Sequence, residues 1–437
     1  MDYFAVGGRP FLSQFPPHVQ GIFKLARFEQ DASGQAVYSD TGGAASQHEL
    51  AAASSGAAAG PTLPLMAGQT NAVSSTGPTM AFSPADREPA DRPPAPGQRA
   101  VATLPPAPCP LHQGFDPANV GVWDSDRFRM VKKLQDATRN RGMVHLMHDN
   151  EAGVDVAVKQ MPNGWFRNSH QEFVAEHPTE TEMPWQDIGC VNFLNQAGYA
   201  YACTLLGVFK DTDFTYVVTS FASEGDMFSW CESGVPPGPE RETVVRPLAR
   251  QMLEGVQQLH EMGIGHLDLS LENILMCKAD DGSLSIRIID FGMATNSRYL
   301  KNCVRGKASY QAPELHTSQR YDACLSDAFS LGVTLYAILV KDYPWLSTRP
   351  GGCKCFEYVR KHGFRPYLDK RKLRNSQLRV GEVMSEPLKQ LLEGLLALDP
   401  AQRLTLGEAS WASSAGASPS RGSVWDEPWM HDQQGAL

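Results

Sequence analysis

The sequence predicts an α+β protein, in which one large bilobal domain follows a long extension of low complexity. Of the 437 residues only 42% are hydrophobic, slightly below the usual share for a globular chain. The deficit lies in residues 41–110, where 48 of 70 positions are Ala, Gly, Pro, Ser or Thr. β-prone runs dominate residues 128–221, whereas apolar residues recur at helical spacing from residue 248 onward. A strand-rich half followed by a helix-rich half is typical of the α+β class.

Residues 1–122 are predicted to form this extension and to be mostly disordered. A segment so poor in apolar side chains cannot bury enough surface to offset the entropy cost of ordering it. The aromatic residues within 1–30 are compatible with a short docking segment or a disordered tail, and a tail is favoured. The remaining chain, about 310 residues from Trp123, is long enough to build a sizeable core.

Bulk composition excludes several classes of protein. A net charge of −9 argues against nucleic-acid binding, and no apolar run reaches the ~18 residues that span a bilayer. The N-terminus has neither the basic nor the apolar part of a signal peptide. Nine scattered cysteines indicate reduced thiols, since Cys353 and Cys355 alone do not complete a zinc site. We expect a monomeric protein of the cytoplasm or nucleus, with no membrane span.

Individual elements follow from local patterns. Residues 128–161 alternate between apolar and polar side chains as strands do, and residues 215–221 form a second β-prone run. Helices are expected at residues 181–196, 248–259, 327–340 and 387–398. The first of them suits a start near Pro184, because proline is favoured in the first turn of a helix. Residues 412–423, rich in Ser, Gly and Ala, predict a surface loop.

Four short motifs stand in a fixed order along the folded part. They are Val-Ala-Val-Lys at 156–159, Gly-His-Leu-Asp-Leu-Ser-Leu-Glu-Asn-Ile-Leu-Met at 265–276, Ile-Ile-Asp-Phe-Gly at 288–292 and Ala-Pro-Glu at 312–314. In this order and spacing they resemble the protein kinase superfamily of the eukaryotic Ser/Thr type. The resemblance covers about residues 128–429.

This resemblance implies a bilobal kinase domain at 123–431, with a strand-rich N-lobe at 123–218, a helical C-lobe at 222–431 and a tail at 432–437. It also implies ATP and Mg²⁺ as cofactors and the Ser or Thr hydroxyls of proteins as substrates. Glu272, in the Leu-Glu-Asn part of the second motif, is similar to the Ser/Thr pattern rather than to the tyrosine kinase pattern.

Four residues would carry the chemistry by resemblance. Phosphoryl transfer needs positioned phosphates, neutralised charge and an oriented nucleophile more than covalent help. Asp290 and Asn273 would bind Mg²⁺, Asp268 would orient the substrate hydroxyl and accept its proton, and Lys159 would hold the α- and β-phosphates. Asp268 and Asp290 lie in apolar surroundings where an unpaired charge is costly, which argues against simple surface carboxylates.

The nucleotide pocket is also implied by resemblance. Val144, Ala157 and Leu275 would enclose adenine, and Asp226 would contact the ribose. Thr219 falls at the gatekeeper position, where its small side chain should leave a back pocket open. Gly142 would be the one glycine of the phosphate-binding loop that this chain keeps.

Other family positions are structural. Glu314 and Arg403 would form an ion pair that ties the activation segment to the late helices. Asp327 would open a helix and brace the catalytic loop, and His266 and Phe291 would stack inside the domain.

The phosphate-binding loop departs from the family pattern. Residues 137–144 retain only Gly142 of three glycines, and Ala137 and Arg139 occupy the other two positions. Glycine lets backbone approach phosphate closely, so this loop should hold a different conformation. Arg139 or Arg141 could contact phosphate, but a solvated loop arginine is favoured.

The acidic partner of Lys159 and the activation segment depart as well. Asp187 is the candidate partner, since it lies one turn before Val191 on the inward face, and Glu182 is a poorer one near the helix start.

Leu267 replaces the arginine that normally binds a phosphate on the activation loop. Cys303 stands where a phosphothreonine is common, so we expect an enzyme that does not need that phosphorylation.

Two further departures are paired. Ser270 replaces a lysine expected two residues after Asp268, and Lys307 stands where Ser/Thr kinases carry a threonine that touches that lysine. We hypothesise a compensating exchange, in which Lys307 supplies positive charge to the γ-phosphate from the other side.

Two functions from different classes fit these residues. The favoured one is an active Mg²⁺- and ATP-dependent Ser/Thr kinase, because Lys159, Asp268, Asn273 and Asp290 are all present. The alternative is a pseudokinase, a nucleotide-binding or scaffold module, which the altered glycine loop would suit. A finer similarity to the FIKK-type kinases of apicomplexan parasites rests on few residues. The basic run at 369–374 is compatible with nuclear import or docking, but a solvated face is favoured.

Overall fold

This computed structural model describes the chain at residues 105–107, 110–137, 142–279, 281–412 and 422–431, together with four two-residue strands near the N-terminus. Two compact units divide the chain, Met1–Phe82 and Ser83–Leu437. In the first unit, Ala5–Val6 pairs with Arg9–Pro10 and Glu29–Gln30 pairs with Ala36–Val37. Apart from these strands and residues 105–107 and 110–122, the extension predicted to be disordered lies outside the described residues.

One six-stranded sheet forms the core of the first lobe of the second unit. Its strands are β1 Gly121–Val122, β2 Phe128–Ala137, β3 Gly142–Asp149, β4 Val154–Pro162, β5 Leu205–Lys210 and β6 Phe214–Ser220. They lie in the order β1-β5-β6-β4-β3-β2, antiparallel except for the β1–β5 pair. The alternation predicted from the sequence is visible in β4, where Val156 and Val158 are buried on one face and adjacent residues are more exposed.

Three helices lie between β4 and β5, namely α1 Asn163–Phe166, α2 His170–Glu176 and α3 Pro184–Gln196. The third contains the predicted proline in its first turn. Trp185 and Ile188 of α3 join a buried apolar cluster with Met161 of β4 and Val217 of β6. This packing fixes the helix against the sheet and therefore fixes the position of Asp187 at its start.

The segment before the sheet corrects one domain boundary. We predicted that residues 1–122 do not pack, yet Leu111 is 1% exposed and the 3-10 helix Leu111–Gly114 packs against α3. A Cβ atom on Gly114 would lie 2.2 Å from the carbonyl oxygen of Gly189, and the amide of Asn192 donates to the carbonyl of Gly114 at 2.7 Å. Packing therefore begins by residue 110. A boundary at residue 122 missed it because such a short segment has no periodic pattern.

The second lobe is mainly helical. Its helices are α4 Met227–Glu232, α5 Pro239–Glu261, α6 Glu314–Thr317, α7 Ala323–Val340, α8 Lys354–His362, α9 Phe364–Lys370, α10 Val380–Val383, α11 Glu386–Leu395, α12 Ala409–Ala412 and α13 Pro428–His431. Two short antiparallel pairs accompany them, β7 Ile274–Lys278 with β8 Leu284–Ile288 and β9 Tyr299–Lys301 with β10 Arg320–Asp322. Most of the predicted surface loop at 412–423 lies outside the described residues.

Helix α7 is the centre of this lobe. It is long and apolar enough to cross a membrane by length and composition, but 94% of its residues are buried inside the domain. The helix begins at Ala323 and not at Asp327 as predicted, because Asp322 caps it by accepting from the amide of Cys324 at 2.9 Å. Asp327 thus lies one turn inside the helix, where its carboxylate faces the catalytic loop.

The predicted ion pair between the activation segment and the late helices is present. Arg403 donates to both carboxylate oxygens of Glu314, at 2.6 and 2.9 Å, and its side chain is fully buried. A bidentate geometry is the strongest arrangement available to these two groups. Since the pair is removed from water, truncating either partner would leave a buried charge uncompensated.

The close approach at Gly189 gives a first test. Substitution Gly189→Ala would place a Cβ atom 2.4 Å from the carbonyl oxygen of Leu111, so we expect a lower Tm, by several degrees. Gly164→Ala in α1 is the matched control, because nothing lies within 4 Å of its Cβ position. There, alanine should leave the Tm unchanged or raise it slightly through its better helix propensity. Equal Tm values for the two variants in thermal unfolding would contradict the packing of residues 110–115 on α3.

Candidate active site

Sheet register pairs four of the residues predicted for the nucleotide pocket. Val144 of β3 is the cross-strand partner of Lys159 on β4, and Ala157 of β4 is the partner of Thr219 on β6. In the second lobe, Leu275 forms an isolated bridge with Asp226. Asp226 also caps α4, since its Oδ1 accepts from the amide of Ser229 at 2.7 Å. This helix-capping bond was not predicted.

Lys159 has two acidic neighbours. Its Nζ lies 3.6 Å from Oδ2 of Asp187, the predicted partner, and 3.9 Å from Oε1 of Glu182. The other oxygen of Asp187 accepts from the backbone amide of Phe291 at 2.9 Å. One short carboxylate therefore connects β4, α3 and the Asp-Phe-Gly motif. Glu182 precedes α3, so a prediction based on helix periodicity undervalued it.

The charges around Lys159 determine its protonation. Burial lowers the pKa of Lys159, but the carboxylates of Asp290, Asp187 and Glu182 outweigh burial and raise this pKa above its usual value. The pKa of Asp187 is raised, chiefly by burial and despite the attraction of Lys159. Three acidic side chains surround a single ammonium group, and an acidic excess of this kind suits additional cations.

One buried carboxylate supports the catalytic loop. Asp327 accepts from the backbone amides of His266 at 2.7 Å and Leu267 at 2.8 Å. Leu267 has φ of 65°, a left-handed conformation that costs a non-glycine residue roughly 1–2 kcal/mol. The two amide bonds hold this strained turn. The ring of His266 contacts that of Phe291, with 5.0 Å between centroids, but the two rings are tilted by 53° and not stacked as predicted.

A buried histidine supports Asp327 in turn. His260 lies with Nε2 3.1 Å from Asp327 and Nδ1 2.6 Å from Glu408. Burial opposes its charge, but Cys324, Asp327 and Glu408 together raise the pKa of His260 well above the usual value. Ligand atoms of His260, Cys324 and Glu408 lie within 4.8 Å of one another. Both ring nitrogens already bind carboxylates, so this cluster holds a proton and is not an open metal site.

Asp268 is the next predicted site residue along the loop. Its side chain is nearly buried, with Oδ2 accepting from the amide of Asn273 at 3.2 Å, and Oδ1 has no hydrogen-bond partner among the described residues. Burial raises the pKa of Asp268 to about 7, with Asp290 acting in the same direction and Lys307 against it. A buried acceptor without a partner is costly, so an incoming hydroxyl would satisfy it.

The two predicted metal ligands fit Mg²⁺ by their chemistry. Asp290 adopts a left-handed conformation at φ of 67°, and Asn273 donates its amide nitrogen to the backbone oxygen of Asp268 at 2.8 Å. Because the nitrogen is used in this way, the amide oxygen of Asn273 faces away from Asp268. A carboxylate and an amide oxygen are the hard ligands that Mg²⁺ prefers.

The paired departures lie in direct contact. Nζ of Lys307 donates to Oγ of Ser270 at 2.5 Å and lies 3.1 Å from Oε2 of Glu272. Burial lowers the pKa of Lys307, but Glu272 and Asp268 outweigh burial, so its pKa is raised. A protonated amine therefore lies beside the catalytic loop, although position 270 itself carries no charge.

Strand pairing and two arginine side chains hold the activation segment. Strand β9 pairs with β10, and Arg298 donates to Asp322 at 2.8 Å. Arg305 donates to the carbonyl of Met293 at 2.6 Å and to the sulfur of Cys303 at 3.3 Å. No local sequence pattern indicates this role of Arg305. Cys303, predicted to stand where the family pattern has a phosphothreonine, is thus contacted by an arginine of its own segment.

The altered glycine loop is described only at its ends. Ala137 and Gly142 pair at the close of the β2–β3 ladder. Arg139 and Arg141, considered above as phosphate contacts, lie outside the described residues.

Comparisons with known proteins agree with this arrangement. A family model described as "Protein kinase domain" matches residues 140–413, which is more than half of the chain. Serine/threonine-protein kinase SIK2 of Gallus gallus is 27% identical over 56% of this chain and 27% of its own length. Serine/threonine-protein kinase SRK2E of Arabidopsis thaliana is 28% identical over 65% of this chain and 70% of its own. Serine/threonine-protein kinase SAPK9 of Oryza sativa subsp. japonica is 30% identical over 51% of this chain and 56% of its own length. With the fold, the motif order and the family match in agreement, the chain belongs to the protein kinase family.

Proposed function

We propose that this chain is an active protein serine/threonine kinase that transfers the γ-phosphate of ATP to hydroxyl groups of protein substrates. The observation that carries this proposal is the state of Asp268. Its carboxylate is nearly buried, one of its oxygens has no partner among the described residues, and its pKa is raised to about 7. A general base works best when its pKa lies near the working pH, and the free oxygen could accept the proton of a substrate hydroxyl.

Each residue of the site has a proposed task. Lys159, kept protonated by its acidic neighbours, would bind the α- and β-phosphates. Asp290 and Asn273 would hold Mg²⁺, which supplies neutralisation of phosphate charge when it is bound. Asp268 would orient the hydroxyl and take its proton. The amide of Phe291 donates to Asp187, and this bond keeps the Asp-Phe-Gly turn next to Lys159. Lys159 and Asp290 would therefore keep a fixed position relative to each other.

Lys307 is proposed as the residue that handles the γ-phosphate charge. Its ammonium group contacts Ser270, so it approaches the position where a lysine at 270 would otherwise act. In the family pattern a lysine at 270 contacts a threonine at 307. Here the serine is at 270 and the lysine at 307, so the same contact still joins one positive charge and one hydroxyl. Transition-state charge on the transferred group could then be stabilised from the activation segment.

Substrate class and compartment are part of the same proposal. Glu272 and the serine/threonine-protein kinases among the relatives support Ser/Thr hydroxyls of proteins as acceptors. The eight cysteines that the structure describes are free thiols, which supports a reducing compartment such as the cytoplasm or nucleus. We also propose a monomer as the working unit.

A pseudokinase is the second candidate, favoured by one observation. The β2–β3 turn has Ala137 in place of a glycine, so backbone approach to phosphate could be restricted there. A module of this kind would bind nucleotide without transferring phosphate.

Transfer of radiolabelled phosphate separates the two candidates. We expect the purified chain to label a generic basic protein, with phosphoserine and phosphothreonine as products. Asp268→Asn and Lys159→Met are the controls, and each should reduce transfer by at least about 100-fold. Nucleotide binding by the unmodified chain, with labelling no greater than in these controls, would exclude the enzyme and support the pseudokinase.

The exchanged pair makes a sharper prediction. Lys307→Ala should lower kcat by roughly 10- to 100-fold, because the charge near the γ-phosphate is lost. The double variant Ser270→Lys with Lys307→Thr restores the arrangement usual in the family and should recover most of kcat. The comparison is made by steady-state kinetics with a peptide substrate. A Lys307→Ala variant with unchanged kcat would show that the contact with Ser270 is only structural.

Stability provides a readout of Asp268 that does not depend on activity. Its folded pKa lies above the unfolded value, so the cost of ionising it grows as pH rises from about 4 to 7 and is constant above that range. Asp268→Asn removes this cost, so without MgATP it should raise the Tm by several degrees at pH 8 and by less than half as much at pH 5. A difference in Tm that stays the same at both pH values in thermal unfolding would contradict the raised pKa.

A further inference from the structure

Cys353 and Cys355 stand at the beginning of α8. Cys353 is the N-cap residue, with an extended backbone at φ of −150° and ψ of 124°. Its sulfur accepts from the amide of Leu346 at 3.4 Å. The guanidinium of Arg371 lies 3.7 Å from the sulfur of Cys355. Neither thiol is fully buried.

The two thiols differ in pKa, so Cys353 loses its proton before Cys355 does. The hydrogen bond from Cys355 and the backbone amides of Leu346, Phe356 and Cys355 lower the pKa of Cys353 to about 5, against the effect of burial. The same bond raises the pKa of Cys355, so the proton remains there. A thiolate beside a neutral thiol is the arrangement of an oxidant-sensitive cysteine with its resolving partner.

The pair is connected to the segment that follows Lys307. Leu346, whose amide binds Cys353, accepts from the hydroxyl of Ser309 at 3.2 Å. The adjacent indole of Trp345 donates to the carbonyl of Ser309 at 3.1 Å, and Thr348 donates to the carbonyl of Gln311 at 2.8 Å. Residues 345–348 therefore hold residues 309–311 from one side, and the sulfur of Cys353 holds Leu346 from the other.

We propose that Cys353 and Cys355 form a hydroperoxide-sensitive dithiol whose oxidation weakens the binding of protein substrate beside Lys307. The effect on substrate rests on the proposed kinase function, whereas formation of the disulfide does not. Among the described residues no third ligand joins the pair, so the two thiols do not form a metal site.

The chemistry takes two steps. The thiolate of Cys353 attacks the hydroperoxide and breaks its O–O bond, which gives a sulfenic acid and releases an alkoxide or hydroxide that takes up a proton. The thiol of Cys355 then attacks that sulfur, forms the S–S bond and releases water. Two residues one position apart keep their Cα atoms within about 7 Å, close to the span that a disulfide requires.

Oxidation changes the hydrogen bond to Leu346. A thiolate is a charged acceptor, whereas a disulfide sulfur is neutral and must also turn towards its partner. The amide of Leu346 would then lose a charge-assisted bond, and the support of residues 309–311 would loosen. Because Lys159 and Asp290 lie elsewhere in the site, ATP binding should be affected much less.

Peptide mass spectrometry tests the disulfide first. The full chain is treated with a small excess of hydrogen peroxide, alkylated and digested with trypsin, which cleaves after Lys354 and so leaves the two fragments joined only by a Cys353–Cys355 bond. We expect one linked mass without reductant and two masses with it. Cys355→Ser should instead accumulate a dimedone adduct on Cys353. Cys303→Ser, the matched control at another half-buried thiol, should form the linked peptide normally. Oxidation of Cys303 without any linked peptide would overturn the proposal.

Kinetics test the consequence. After oxidation, KM for a peptide substrate should rise roughly three- to tenfold with KM for ATP little changed, and dithiothreitol should reverse the effect. Cys355→Ser should resist this reversible change. Formation of the linked peptide with an unchanged peptide KM would overturn the coupling to residues 309–311. A reduced chain that transfers no phosphate would contradict the proposed function alone, since the linked peptide is still measured.

Discussion

The carboxylate of Asp327 is the point on which the site depends. It is completely buried, and it accepts the two amides that hold Leu267 in a left-handed turn. Without those bonds the turn would relax, and Asp268 would no longer be directed towards the cleft. A buried carboxylate is itself costly, and the protonated ring of His260, anchored by Glu408, supplies the compensation. The geometry of the predicted catalytic loop is therefore maintained by an acid–histidine–acid chain formed by Asp327, His260 and Glu408.

The predicted site keeps the charges of the family pattern although some of its residues differ from that pattern. Asp187 is one methylene shorter than glutamate, yet it reaches both Lys159 and the amide of Phe291 because α3 is packed tightly on the sheet. Lys307 and Ser270 exchange an amine and a hydroxyl across one contact. In the first case a shorter acid supplies the same charge, and in the second the charge comes from a different position in the chain. Departures from the family pattern in this protein are thus compatible with the electrostatics of phosphoryl transfer.

The sequence predicted the family and the fold because their signals are local. Motifs around Asp268 and Asp290 occupy consecutive residues, and strand alternation needs only short windows of sequence. Other features depend on tertiary contacts that no window reveals. Residues 110–122 were missed because the segment is too short for a periodic pattern and packs through contacts distant in sequence, such as Gly114 against Gly189. Asp322, and not Asp327, begins α7 because a side-chain cap decides where a helix starts. Glu182 and Arg305 act through neighbours that are far away in sequence.

The packing of residues 110–115 on α3 affects how this protein is best studied. A fragment starting at Trp123, the boundary that composition suggests, would expose the face of α3 that Leu111 and Phe115 now cover. That helix carries Asp187, so its displacement would separate the acid from Lys159 and weaken phosphate binding. Under the proposed function, such a fragment would transfer phosphate poorly for a reason unrelated to the predicted catalytic residues. Its low activity could then be mistaken for evidence that the protein is a pseudokinase.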